Sequence, residues 1–300
     1  MEDELRRKFD ELVARYELEP ELRDIYVEGT TDKNLVQWFL RQKGQQDFVV
    51  YEIDTVDISA ERLKELELSN NNRGRVIALA LDMQSQLSAL PPHLTCMADK
   101  DFDWLFGKEY NCDILLFTDY CSIELYFFNE IILDKFFSLA IGLSQIQAKE
   151  ALDKLSKVLE DLFLIRATNE ALGFNMEWLK EFGNCCKLTG AEIELQSETF
   201  IYKYLNKNSK LSQKQLFTDK LQELRTNKIA ERRCKIRGHD FIELLCWYIK
   251  HYLAKNKRQF YDPEIVAVNL LMCIDAEHLG QETMFQRLLA RLSEEQQHSS

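Results

Sequence analysis

Three apolar runs in this chain end in acid. Asp24-Ile25-Tyr26-Val27 leads into Glu28-Gly29. Leu94-Thr95-Cys96-Met97-Ala98 leads into Asp99-Lys100-Asp101-Phe102-Asp103. Asp113-Ile114-Leu115-Leu116-Phe117 leads into Thr118-Asp119. Carboxylates brought together repel, and their pKa values rise unless a cation neutralises them. Hard oxygen donors that leave room for water and phosphate suit Mg²⁺, with Mn²⁺ as the nearest substitute. Such an ion can polarise a phosphodiester and activate water. The plainer reading is that each acid caps the helix after its strand, with Asp119 the clearest case.

Two rival uses of the Asp99–Asp103 run fail on position. An EF-hand loop needs Gly at its sixth place and Glu at its twelfth, where Trp104 and Tyr110 stand. A phosphatase that forms a phospho-aspartate usually carries its paired acids on the first strand, and here the pair follows the third. Further candidates surround the acids. Glu124 follows the fourth run closely enough to be another metal ligand, an orienting carboxylate, or a Glu favoured by a helix start. Lys100 lies between two acids, where it can meet phosphate or point to solvent. His239 begins a helical segment and can meet a phosphate or a base, or be structural, and Asp240 can cap the same helix.

The elements that must hold these residues follow from apolar spacing. Four strands are expected, near 24–28, 48–51, 94–98 and 113–117. Helices are expected over 3–16, after Thr30 or Thr31, from Ser59, over 76–87 and from Ser122 to Phe137. Strands alternating with helices imply parallel β-α-β units, and such sheets gather chemistry at the carboxyl ends of their strands. Beyond about 140 only helical patterns are read: one from Ser144, then near 212–225, 240–254, 263–275 and 282–292, with a frayed tail at 294–300. The expectation is an α/β domain over 1–140 and a helical domain over 141–300.

Composition sets the outer bounds. Of 300 residues, 46% are hydrophobic and 29% charged, with only 10 Gly and 4 Pro, which favours long helices over a turn-rich all-β protein. The charged, helix-patterned start is not a signal peptide, and no apolar run reaches membrane-span length, so a cytoplasmic protein without membrane contact is expected. Eight cysteines without a CxxC pair read as reduced thiols. No P-loop glycine motif is present, so any dependence on ATP must come from a partner. Net charge is −12, yet residues 201–260 hold 15 Lys/Arg against 5 Asp/Glu, a local +10 that leaves −22 elsewhere. Arg225, Lys228, Arg232, Arg233, Lys235 and Arg237, followed by Lys250, Lys255, Lys257 and Arg258, can track a phosphate backbone, form a solvated helix face, or dock on an acidic partner. Trp247, Tyr248 and Tyr252 can stack bases, although their helical spacing suits a core.

Strand–Glu-Gly, about seventy residues, then strand–Asp-x-Asp resembles the Toprim fold of topoisomerases, primases and overcoming-lysogenization-defect (OLD) type nucleases. Tyr26-Val27-Glu28-Gly29-Thr30-Thr31-Asp32, Ala98–Asp103, Thr118-Asp119-Tyr120-Cys121-Ser122-Ile123-Glu124 and Arg237-Gly238-His239-Asp240 occur in that order. Together they look like the Toprim-type nuclease family encoded beside ABC-type ATPases in bacterial anti-phage loci. The resemblance spans about residues 20–255. It implies a Toprim-like, mainly parallel sheet flanked by helices and an all-α C-terminal domain. It implies catalytic Glu28, Asp99 and Asp101, with Asp103 and Glu124 as further metal ligands. Lys100, Arg232, Arg233, Lys235, Arg237 and His239 are expected on the nucleic acid. It further implies Mg²⁺ or Mn²⁺, RNA such as tRNA ahead of DNA, an ABC-type ATPase partner and a homodimer. The alternative is a non-catalytic subunit that docks on an ATPase.

Overall fold

The computed structural model describes residues 6–190, 192–227, 231–253 and 255–293. The first residues of the helix expected over 3–16, Lys228 and the tail 294–300 lie outside them. In chain order the first elements are α1 (Phe9–Leu18), β1 (Asp24–Val27), α2 (Thr30–Gln42), β2 (Val49–Glu52), α3 (Ala60–Glu65), α4 (Asn72–Gln86) and β3 (Thr95–Ala98). They are followed by α5 (Asp103–Phe106), β4 (Leu115–Phe117), α6 (Glu130–Lys135), α7 (Ala148–Ala171), β5 (Cys186–Thr189) and β6 (Glu192–Leu195). The last are α8 (Ser197–Lys207), α9 (Lys214–Arg225), α10 (Gly238–Lys250), α11 (Pro263–Met272), α12 (Ala276–Leu279) and α13 (Thr283–Ser293). Among the described residues no helix is long and apolar enough to cross a membrane.

The chain divides into two compact units. One comprises the described residues of Met1–Lys100, Lys108–Asp119 and Asp275–Ser300, the other those of Asp101–Gly107 and Tyr120–Ile274. The first holds a four-stranded parallel sheet in the order β2-β1-β3-β4. All residues of β1 and β3 are buried, as inner strands covered on both faces require. Helix α2 packs against β2, α4 against β3 and α13 against β4. At the amino end of β1, buried Asp24 accepts a hydrogen bond from the Tyr16 hydroxyl at 2.9 Å and pairs with Arg15 at 3.2 Å, which ties α1 to the sheet. Desolvation pushes the Tyr26 phenol beside this network up to about 12.

The second unit is mainly helical. The expectation of an all-α second half is corrected by the antiparallel hairpin β5–β6. Its residues alternate between buried Cys186, Ile193 and Leu195 and exposed Lys187, Glu192 and Glu194, with Gly190 at φ +63° in the turn. That two-residue period is a strand signal in a stretch that otherwise reads as connecting chain. Helix α8 is a further addition to the elements expected from apolar spacing.

The single long helix expected from Ser122 is likewise corrected. A 3₁₀ turn, Ile123–Tyr126, comes first, and Asn129 then starts α6 by accepting from the N–H groups of Ile131 and Ile132. An Asn side chain that satisfies the N–H groups of a new first turn competes with continuation of the preceding one.

Candidate functional site

In the sheet unit, β1 delivers Glu28 at its carboxyl end. Gly29 leaves in extended backbone and its N–H donates to Asp32 Oδ2 at 3.0 Å, so α2 begins at once through Asp32 rather than through a threonine cap. The neighbouring strand β3 ends at Asp99, whose N–H donates to Glu28 Oε1 at 2.7 Å. Two of the expected acids therefore meet at the ends of adjacent parallel strands. The first turn of α4 braces both: Asn72 Nδ2 donates to the Glu28 carbonyl at 2.8 Å and Arg73 Nε to the Asp99 carbonyl at 2.6 Å. Neither residue was singled out from the sequence. Asn71 caps α4 by accepting from the Gly74 N–H, and the run of three asparagines before a helix was the signal available.

The other strand ends differ in use. The Lys100 N–H donates to Thr118 Oγ1 at 3.0 Å, and its ammonium lies 6.0 Å from the Phe117 ring centre. Asp119 Oδ2 accepts from the Met284 N–H at 2.9 Å in the first turn of α13, a helix-capping role. Glu52, at the end of β2, accepts from Thr30 and pairs with Lys33 at 3.3 Å.

In the second unit, Asp101 adopts a positive φ of +48°, a region that Asp enters more readily than most residues with a Cβ. Its N–H donates to the Cys121 carbonyl at 2.9 Å, and its carboxylate pairs with Arg237 at 2.8 Å. The Arg237 guanidinium also lies over the Phe102 ring. Asp103 is the first residue of α5 and is 5% exposed.

Ser122 Oγ and Glu124 Oε2 are buried, and neither has a hydrogen-bond partner. Gly238 opens α10 against them: a Cβ there would come within 2.3 Å of Glu124 Oε2 and 2.4 Å of Ser122 Oγ. His239 is 83% exposed, with Nδ1 3.7 Å from Glu124 Oε1. Asp240, expected as a cap, instead accepts two 2.7 Å hydrogen bonds from Arg166, which joins α10 to α7. Ser122 is the member of this group that sequence reasoning passed over.

Several of the expected phosphate ligands are engaged with acids of their own unit. Arg225 pairs with Asp161 at 2.8 Å, Arg232 with Asp153 at 2.8 Å and Lys235 with Glu160 at 3.1 Å. Arg233 pairs with Glu231 at 3.3 Å and stacks over Tyr120 at 3.7 Å. Tyr248 is buried, as its helical spacing suggested.

Among the described residues, no group of three His, Cys, Asp or Glu side chains stands ready to hold a metal ion. The donor chemistry nevertheless suits a hard cation. The acids are carboxylates, and two buried oxygens, on Ser122 and Glu124, have no partner of their own. All eight cysteines are free thiols. Comparison with models of known protein families and with curated proteins finds no match.

Proposed function

We propose that this chain is a divalent-metal-dependent nuclease that hydrolyses phosphodiester bonds through the acids at the ends of β1 and β3. The observation that carries the reading is the 2.7 Å hydrogen bond from the Asp99 N–H to Glu28 Oε1. It joins the glutamate of one motif to the first aspartate of the other, 71 positions later in the chain. By the likeness of the motifs, Asp99 and Asp101 would hold Mg²⁺ or Mn²⁺, with Asp103 and Glu124 as further ligands. When bound, such an ion supplies Lewis-acid charge at the phosphoryl group and a more acidic water. Glu28 takes the proton of the attacking water or serves as an additional ligand. Arg237 exchanges the Asp101 carboxylate for a phosphate oxygen, exposed His239 meets the same backbone, and by the likeness of the motifs Lys100 does so too.

The likeness of the four motifs to anti-phage Toprim nucleases carries the proposal further. The chain would be the toxic effector of a defence system, cutting structured RNA such as tRNA, restrained by an ABC-type ATPase and active as a cytoplasmic homodimer. The test is incubation of the purified, partner-free protein with RNA and DNA in Mg²⁺, in Mn²⁺ and in chelator. Metal-dependent cleavage supports the reading, and no cleavage of either substrate ends it.

A second reading, a docking subunit, is favoured by α11. That helix buries Val266 and Leu270 yet exposes Ile265, Val268 and Met272 on its other side. A surface helix that is apolar on both sides suits a partner. Tight binding to the ATPase by a protein inert on both nucleic acids would select it.

A further inference from the structure

Three of the acids that occupy the basic segment lie on one helix. On α7, Asp153 and Glu160 are seven residues apart and Asp161 follows, so the three carboxylates share a face and spread over about 12 Å. Opposite them stand Arg232, Lys235 and Arg225, at 2.8, 3.1 and 2.8 Å, one cation to each acid. The pairing is between elements distant in sequence and is matched in order along the helix for Asp153 and Glu160 with Arg232 and Lys235.

These pairs are open to exchange. Their side chains are 25 to 53% exposed, and ion pairs in contact with water add little net stability. Burial pushes the Asp161 carboxyl up even with the Arg225 guanidinium against it, so its charge is held at some cost. The apolar packing is separate: α7 buries Leu155, Val158 and Leu162, and α9 buries Phe217, Leu221 and Leu224. Losing the charges should therefore leave the unit folded.

We infer that these three carboxylates of α7 are an intramolecular stand-in for nucleic-acid phosphates, and that a nucleic acid must displace them to reach Arg232, Lys235 and Arg225. The inference rests on the nuclease reading and adds a threshold to it. Displaced carboxylates take up cations from solution, which offsets the counterions released from the nucleic acid. Binding by the natural chain should then be weak and less dependent on salt than its count of cations suggests.

The test measures binding of a labelled stem-loop RNA and of duplex DNA in chelator, where no cleavage occurs, at several salt concentrations. Three proteins are compared. They are the natural chain, the triple variant Asp153→Asn, Glu160→Gln, Asp161→Asn, and a control triple, Glu194→Gln, Glu198→Gln, Glu264→Gln. The control changes net charge equally at exposed positions of the same unit. The α7 variant should bind about tenfold tighter or more at low salt, with a log–log salt slope steeper by about 2, at up to about 0.9 per released pair. The control should shift affinity less than about twofold and keep its slope. Asp153→Asn alone, which frees only Arg232, should give about a third of the slope change and serves if the triple variant fails to fold.

If the α7 variant matches the control while the natural chain binds, the stand-in inference is wrong and the nuclease reading survives. If none of the three proteins binds either nucleic acid, both fall.

Discussion

Glu28 and Asp99 were legible as single residues because each ends an apolar run. That they touch was not, because it depends on the register of β1 with β3, in which Tyr26 lies opposite Cys96. The contact refines what substitution should do. Glu28 Oε1 is the acceptor for a backbone N–H, so Glu28→Ala would leave that donor short of its partner, at about 1 kcal/mol or more. Glu28→Gln keeps an oxygen there and removes only the charge. It should hold stability within about 1 kcal/mol of the natural chain by urea titration while cleavage falls about 10² to 10⁴-fold. Cleavage that persists in Glu28→Gln would remove Glu28 from the chemistry. Gly238 gives a second residue-scale case. An added Cβ meets the buried Glu124 Oε2 and Ser122 Oγ and lies 2.7 Å from Glu124 Cβ, which cannot move without its backbone. Gly238→Ala should therefore cost about 1 to 3 kcal/mol and displace Glu124. A lowered melting temperature with at least tenfold lower cleavage is the expected pair of results, and full activity would show that Glu124 need not sit where it does.

At the level of elements, strands were easier to read than the joints between helices. The four sheet strands were legible as short apolar runs bounded by acids and turns. The β5–β6 hairpin was hidden because its strands have four residues each, half of them polar, between segments of helical pattern. The role of Asp240 was hidden differently: its position in a first turn fits capping, and only tertiary packing brings Arg166 to it. That clamp carries a prediction. Asp240 is 1% exposed and takes both hydrogen bonds from Arg166, which also stacks on Trp178 at 3.7 Å. Asp240→Asn leaves a largely buried guanidinium without its counter-charge and should destabilise the helical unit by about 3 kcal/mol. Chemical denaturation followed by tryptophan fluorescence would read it, and a loss under 1 kcal/mol would mean that the pair is replaceable by neutral hydrogen bonds. Gly74 tests the brace under the acids. A Cβ there would fall 2.0 Å from the Ser69 carbonyl oxygen, which is backbone and cannot swing aside. Gly74→Ala should move the first turn of α4, and with it Asn72 and Arg73, and cost about 1 to 3 kcal/mol.

At the scale of the whole chain, the reading by pattern divides at 140, where strand signals thin out, whereas contacts gather Tyr120–Ile274 into one unit and return Asp275 onward to the sheet. An amphipathic helix announces that it has an apolar face but not which surface that face covers, so this return is invisible in a single sequence. It is plain in the packing of α13. Met284, Phe285, Leu288 and Leu292 are buried at helical spacing, Phe285 lies 4.6 Å from the Phe39 ring, and Arg291 donates to the Leu115 carbonyl. Asp119 completes the attachment by capping the helix. At about 1.5 to 3 kcal/mol for each fully buried side chain, these four contribute on the order of 6 to 12 kcal/mol, comparable with the entire net stability of a typical domain. A chain stopped after Ile274 should therefore lose the sheet unit, including the Glu28–Asp99 contact, although every motif residue is still present. Limited proteolysis measures this directly. Cleavage should spread through α2 and α4 in the shortened protein, and protection equal to that of the full chain would show that β4 tolerates an uncovered face.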